Sequence, residues 1–245
     1  MKTIYFLCGL LCDDIVWQAQ ATELARDYDV RVFSFLEHDT LVAMAAHVLA
    51  DAPASFALAG HSMGGRVALE VLRQAPRRVE RLALLDTGYE AATPGEAERR
   101  AVLVDQALAE GTAAIAAAWG LPMLAPHRRD DPAVVQPVLD MVGRMTGAIY
   151  AAQTRALLAR PDASGVLQRI ACPTLVLCGR QDGWSPPERH QQMAALLPRP
   201  PLLRLVDDCG HMAMMEQPAA VLAALREWLA LPAGPATRSE QHAHH

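Results

Sequence analysis

The chain lacks most of the features that mark binding and membrane classes. It carries no lysine-rich or arginine-rich block, and its formal net charge is −5. That disfavours a nucleic-acid partner and a polybasic membrane contact, because each needs a concentrated positive surface. No apolar stretch reaches the roughly 18–20 residues of a membrane helix. Cysteine is scarce: Cys8, Cys12, Cys172, Cys178 and Cys209 are five in number, odd, and without disulfide-rich or zinc-type spacing. Structural thiols in a reducing cytoplasm fit that usage, and no metal site is read from it. Internal repeats are absent. The amino-terminal apolar run is broken by Gly9 and stopped by Asp13 and Asp14, with no small-residue cleavage site, so it reads as a first strand rather than a leader.

What is present is apolar. Hydrophobic residues make up 52% of 245 residues and charged residues 20%, enough for one large folded unit with an insertion. Short apolar runs alternate with helical patterns. Strands are expected at Ile4–Cys8, Val30–Phe35, Phe56–Ala59, Leu82–Leu85, Thr174–Cys178 and Leu202–Val206. Helices are expected over Val16–Asp27, Thr40–Ala50 (capped by Asp39 or Thr40), Met63–Gln74, Pro187–Leu197 and Ala219–Leu229. The strand runs are continuously apolar, the pattern of a parallel sheet covered on both faces. The alternation predicts an α/β, doubly wound, mostly parallel sheet of about six strands.

Between residues 88 and 165 the strand signal disappears. Alanine-rich helical patterns at Glu96–Leu108, Thr112–Trp119, Val134–Met145 and Ile149–Ala159 are punctuated by proline and glycine. This stretch is read as a helical cap over the carboxyl edge of the sheet, where open α/β folds bind ligands. The expected division is a core of residues 1–87 and 166–231, a cap of 88–165 and a flexible tail of 232–245, whose three histidines are read as disordered rather than metal-binding.

The chemistry gathers on three segments. Gly60-His61-Ser62-Met63-Gly64-Gly65 follows an apolar strand and opens a helix. That is the G-x-S-x-G pattern: the serine occupies a strained strand-to-helix turn, and the glycines remove side chains that would collide across it. A helix N-cap serine is the plain alternative. A serine hydroxyl needs a base. His211, on the loop after the last strand, suits that role, and the side chain of His61 is expected to point away from Ser62. The imidazole needs an orienting carboxylate. Asp182, after the fifth strand, is the best placed, with Asp207, Asp208 and Asp86 as rivals. The order Ser62, Asp182, His211 puts all three at carboxyl ends of expected strands. Backbone N–H groups of Met63 and Leu10 are the expected oxyanion donors.

These motifs, with Cys8-Gly9-Leu10-Leu11-Cys12-Asp13, Gly179-Arg180-Gln181-Asp182 and Asp208-Cys209-Gly210-His211, resemble the α/β-hydrolase superfamily, especially its small bacterial members with a helical cap. The resemblance spans nearly the whole chain. It implies esterase-type chemistry through an acyl-enzyme, with Ser62, Asp182 and His211 in the family's roles and no cofactor. Two departures stand out. Many relatives have His-Gly at the first oxyanion loop, where Cys8 precedes Gly9 here, and many begin with an antiparallel hairpin that this chain lacks.

The expected reaction is hydrolysis of a carboxylic ester of a small or medium apolar molecule. A lactone, a thioester or a C–C bond would suit the same triad, and a non-catalytic ligand-binding protein on this fold is the rival class. An apolar pocket is expected, lined by Trp17, Trp119, Met123, Met141, Met145, Trp184 and Met212. Activity should fall at acid pH, where a protonated imidazole cannot accept the serine's proton.

Overall fold

A computed structural model describes residues 1–232; apart from Pro232, the expected tail lies outside the described residues. Six strands form one sheet: β1 (Thr3–Leu7), β2 (Asp29–Phe33), β3 (Phe56–His61), β4 (Val79–Leu85), β5 (Thr174–Gly179) and β6 (Leu202–Val206). Their order is β2-β1-β3-β4-β5-β6, and every neighbouring pair is parallel. Burial explains the apolar runs. Every residue of β3 and β5 is buried, whereas the edge strands β2 and β6 are mostly half-covered.

Among the described residues, eleven α-helices accompany the sheet: α1 (Gln18–Leu24), α2 (Leu41–Asp51), α3 (Met63–Gln74), α4 (Glu96–Glu110), α5 (Thr112–Gly120), α6 (Pro132–Gly143), α7 (Gly147–Leu158), α8 (Ser164–Leu167), α9 (Pro187–Leu196), α10 (Ala213–Glu216) and α11 (Pro218–Ala230). One group packs α1 against α10 and α11; the other runs α2, α3, α8, α9. No described helix is long and apolar enough to cross a membrane. All five cysteines are free thiols, and four are buried.

Local chemistry accounts for the boundaries. Thr40, not Asp39, caps α2: its Oγ1 accepts from the Ala43 amide at 3.1 Å. The single helix expected over Val16–Asp27 is split. The Asp13 carboxylate accepts from the Ile15 amide and starts a 3₁₀ turn, Asp14–Trp17, ahead of α1. β2 stops at Phe33, and the carbonyl of Phe35 accepts instead from the Gln153 amide at 2.9 Å.

Between the adjacent strands β4 and β5 the chain inserts α4–α7, with no strand among them. α4 packs on α7 and α5 on α6. The first contact depends on Gly147, where a Cβ would sit 2.4 Å from the Ala107 carbonyl oxygen. A buried ion pair closes the same region: Arg160 donates to both oxygens of Glu96 at 2.8 and 2.7 Å. Replacing Gly147 with alanine should force α4 and α7 apart and cost about 1–3 kcal/mol in denaturant unfolding, as overpacking does.

Candidate active site

Ser62 stands at the carboxyl end of β3, as the residue preceding α3, with φ 52° and ψ −115°. A non-glycine residue in this region is strained and must be held. Its amide donates to the Leu85 carbonyl at 3.0 Å, and its carbonyl accepts from the Thr87 hydroxyl at 2.6 Å and the Gly65 amide at 3.0 Å. The glycines of the motif are steric necessities. A Cβ on Gly60 would lie 2.3 Å from the Gly64 carbonyl oxygen, and one on Gly64 2.2 Å from that of Leu7.

His211 and Asp182 arrive on the loops after β6 and β5. His211 Nε2 lies 2.9 Å from Ser62 Oγ, and His211 Nδ1 lies 2.8 Å from Asp182 Oδ2. A carboxylate only accepts, so Nδ1 carries the ring proton and Nε2 is free to accept from the hydroxyl. The other Asp182 oxygen accepts from the Trp184 and Ser185 amides, both at 2.8 Å. Burial alone would raise the Asp182 pKa. The neighbouring His211 and these amide donors outweigh it and hold the carboxyl below the usual carboxylate value. The two loops touch through glycine: a Cβ on Gly179 would lie 2.0 Å from the Gly210 carbonyl oxygen.

The rival acids are placed elsewhere. Asp207 pairs with Arg180, and Asp208 is exposed with φ 52°. Asp86 is fully buried, and its Oδ1 accepts from the Gly179 amide at 2.8 Å. Burial, then the charge of Asp182, pushes its pKa well above the ordinary carboxylate value, toward the neutral form. Asp86, Cys178 and Asp182 bring ligand-type atoms within 4.8 Å of one another. Both Asp182 oxygens are already engaged and burial pushes the Cys178 thiol up, so the trio is poorly suited to a cation.

His61 departs from expectation. Its ring does not turn away from the site: its Nε2 donates to the His211 carbonyl at 2.8 Å, and the two rings are 5.1 Å apart. Burial, reinforced by His211, pushes its pKa down to about 3. His190 is similar. It accepts the Thr87 amide at 3.0 Å, and burial pushes it down to about 4.

Two residues missed in the sequence tie this region to the insertion. Glu216 accepts from Gly210 and Ala125 amides, both at 2.8 Å. Gln153 of α7 accepts from the Leu11 amide at 2.9 Å, beside the first-strand loop. Their only outward signal is a polar residue inside a mostly apolar helical segment. The neighbouring Leu10 and Met63 amides make no hydrogen bond among the described residues, and both residues border cavities that contain Ser62.

The main cavity is about 610 Å³ and has Ser62, Met63 and His211 in its wall. Of the seven residues expected to line it, Trp119 and Trp184 do so, and Met123 borders the adjoining recess. Trp184 stacks on the His211 ring at 5.6 Å and meets Trp119 edge-on at 5.7 Å. The other four do not line it. Trp17 is buried, stacked on Phe6 at 4.6 Å, and donates to the Leu7 carbonyl. Met141, Met145 and Met212 are buried in the core. Met141 lies in α6, whereas Met145 follows that helix and Met212 precedes α10. The lining is also far from purely apolar: Arg66, Arg99, Arg100, Arg160 and Arg189 belong to it.

A serine at the β3–α3 turn of a parallel sheet, with an acid after β5 and a histidine after β6, is the α/β-hydrolase architecture. Residues 4–225 match the model of the alpha/beta hydrolase family, and the chain belongs to it. Among solved structures, it is similar to a thermophilic esterase from Thermogutta terrifontis solved with malate bound. The two are 29% identical with a TM-score of 0.83, over 94% of this chain and 89% of that one. The enol-lactonase of Burkholderia xenovorans LB400 shares the fold at 22% identity and TM-score 0.82, covering 94% and 92% of the two chains. MenH from S. aureus does so at 21% and 0.80, covering 93% of each. No curated protein matches the sequence significantly.

Two measurements check this geometry. Asp182→Asn should lower hydrolytic turnover by about 10⁴-fold through loss of the orienting acceptor. Asp86→Asn, which keeps a neutral acceptor for Gly179, should leave turnover near the parent rate. The buried imidazoles fix an acid limit. Folding depresses the proton affinity of His61 and His190 from 6.5 to about 3 and about 4. The unfolded chain therefore binds the extra protons below about pH 6.5, and native stability is lost as pH falls from there toward 4. Urea titrations across that range should show a loss of about 1.4 kcal/mol per pH unit for each ring, shallower in His190→Gln.

Proposed function

We propose that the chain is a serine hydrolase that cleaves carboxylic esters of small molecules through an acyl-enzyme. The observation that carries this reading is the continuous relay from Ser62 Oγ through His211 to Asp182, with separations of 2.9 and 2.8 Å. Ser62 attacks the ester carbonyl while His211 Nε2 takes its proton. Asp182 keeps the ring in the Nδ1–H tautomer and stabilises the imidazolium that forms. The uncommitted amides of Leu10 and Met63 serve the tetrahedral oxyanion, each contributing about 3 kcal/mol. His211 returns the proton to the leaving alcohol, then activates the water that releases the acyl group.

No cofactor enters these steps. Residues 88–165 act as the cap that shapes the cavity, and the five free thiols suit a reducing, cytoplasmic setting. Lactones and thioesters pass through the same kind of intermediate, so the cavity rather than the relay selects among them.

A fluorophosphonate probe should label the parent protein at Ser62, and Ser62→Ala should lose both labelling and p-nitrophenyl ester hydrolysis while keeping its thermal unfolding profile. Turnover at the parent rate in Ser62→Ala, or a folded parent protein that never labels, rules the assignment out.

A further inference from the structure

The main cavity carries an excess of positive charge. Five arginines, Arg66, Arg99, Arg100, Arg160 and Arg189, share its wall with two carboxylates, Glu90 and Glu96, leaving three positive charges over. This happens in a chain of net charge −5, so the local sign opposes the overall one. Cations gathered in a partly desolvated site are costly unless something neutralises them.

The pairing shows which donors stay open, and exposed Arg99 donates to the Thr93 hydroxyl at 3.3 Å. Glu96 serves two guanidinium groups: Arg160 takes both its oxygens, and Arg100 Nε donates to it at 2.9 Å. Glu90 takes Arg189 Nε at 3.0 Å. Arg66 has no carboxylate partner among the described residues; its Nη1 donates to the Glu90 backbone carbonyl at 2.7 Å. The terminal nitrogens of Arg100 make no hydrogen bond among the described residues. Burial, then the like charges of Arg160 and Arg189, pushes the Arg66 pKa down to about 9.

Arg66 and Arg100, the two cations that keep donors open, both sit beside the reacting centre. Arg66 lies one turn of α3 beyond Ser62, its amide 3.4 Å from the Ser62 carbonyl oxygen. Arg100 borders the main cavity and also a recess of about 30 Å³ that it shares with Leu10, Ser62 and His211. Trp119 borders both as well, and its buried indole Nε1 has no hydrogen-bond partner among the described residues. Two unfilled cationic donors and one unfilled neutral donor together call for an anionic acceptor. The planar guanidinium fork matches a carboxylate.

We propose, resting on the serine-esterase reading, that the preferred substrate is an ester that also bears a free carboxylate, held by Arg66 and Arg100 while its ester carbonyl meets Ser62. The half-ester of a short dicarboxylic acid is the simplest such molecule. The carboxylate is a handle and takes no part in bond making: the acyl–oxygen bond breaks as in any ester, and the second carboxylate leaves unchanged with the product.

The test pairs mono-p-nitrophenyl glutarate with its neutral methyl ester. The parent protein should show a kcat/KM roughly 10- to 100-fold higher for the acid, the scale of a charge-assisted contact, and rising ionic strength should erode the ratio. The ratio should collapse in Arg66→Gln and in Arg100→Gln, and Arg100→Lys should restore part of it. Arg100 is partly exposed, so its variants keep the comparison informative if Arg66→Gln folds poorly. Equal or better turnover of the neutral ester by the parent protein overturns the proposal and leaves the esterase reading standing. If neither ester turns over and Ser62 takes no probe, the esterase reading fails. The charge claim is then decided by calorimetry of glutarate against glutaramide: binding of glutarate that weakens in Arg100→Gln supports it, and equal binding of the two overturns it.

Discussion

A serine held at positive φ is the constraint on which the rest of this molecule depends. The conformation costs about 1–3 kcal/mol, and it persists because α3 is brought hard against β1. Gly64 lets the helix start touch the Leu7 carbonyl, and Gly60 lets the turn fold onto Gly64. The Thr87 hydroxyl then locks the Ser62 carbonyl from the end of β4. With Ser62 fixed at the centre of the sheet, the loops after β5 and β6 have one place to bring Asp182 and His211 to it. They reach it together because Gly179 and Gly210 allow their backbones to meet.

Around that point the protein separates three buried acids by their hydrogen bonds. Asp182 receives two amides and an imidazole and remains an anion. Asp86 accepts the Gly179 amide and lies against an existing negative charge, which pushes its pKa up. Glu216 is spent on amides of the His211 loop and of the insertion. Two further imidazoles, His61 and His190, are held uncharged by burial. Of these acids, Asp182 is the one hydrogen-bonded to the His211 ring, the contact that favours a transient imidazolium.

The sheet and the relay were legible in the sequence because each is encoded locally. Continuous apolar runs mark β3 and β5, and the motif around Ser62 announces its own turn. Asp182 and His211 follow strands at short loops, so strand positions alone brought them to one edge. The cavity wall was legible only at Trp119, Trp184 and Met123. Whether Met141 or Trp119 faces a cavity depends on how α4–α7 pack on one another, and both residues obey the same helical period. The arginines were hidden for a related reason. Arg100 reads as a solvated helix position until Glu96 is seen to be shared with Arg160, sixty-four residues apart from it in sequence. Glu216 and Gln153 bind backbone amides, which carry no residue identity for a sequence reading to find.

Those last two side chains have a consequence for the inheritance of the molecule. Gln153 belongs to the inserted helices and holds the loop that carries Leu10. Glu216 belongs to the sheet-bearing part and holds Ala125 of the insertion together with Gly210 beside the base. Each half thus supplies a strut for the other's working parts. A chimera that transplants a foreign lid onto this scaffold would have to bring equivalent struts with it, or lose alignment at both ends of the reaction centre at once.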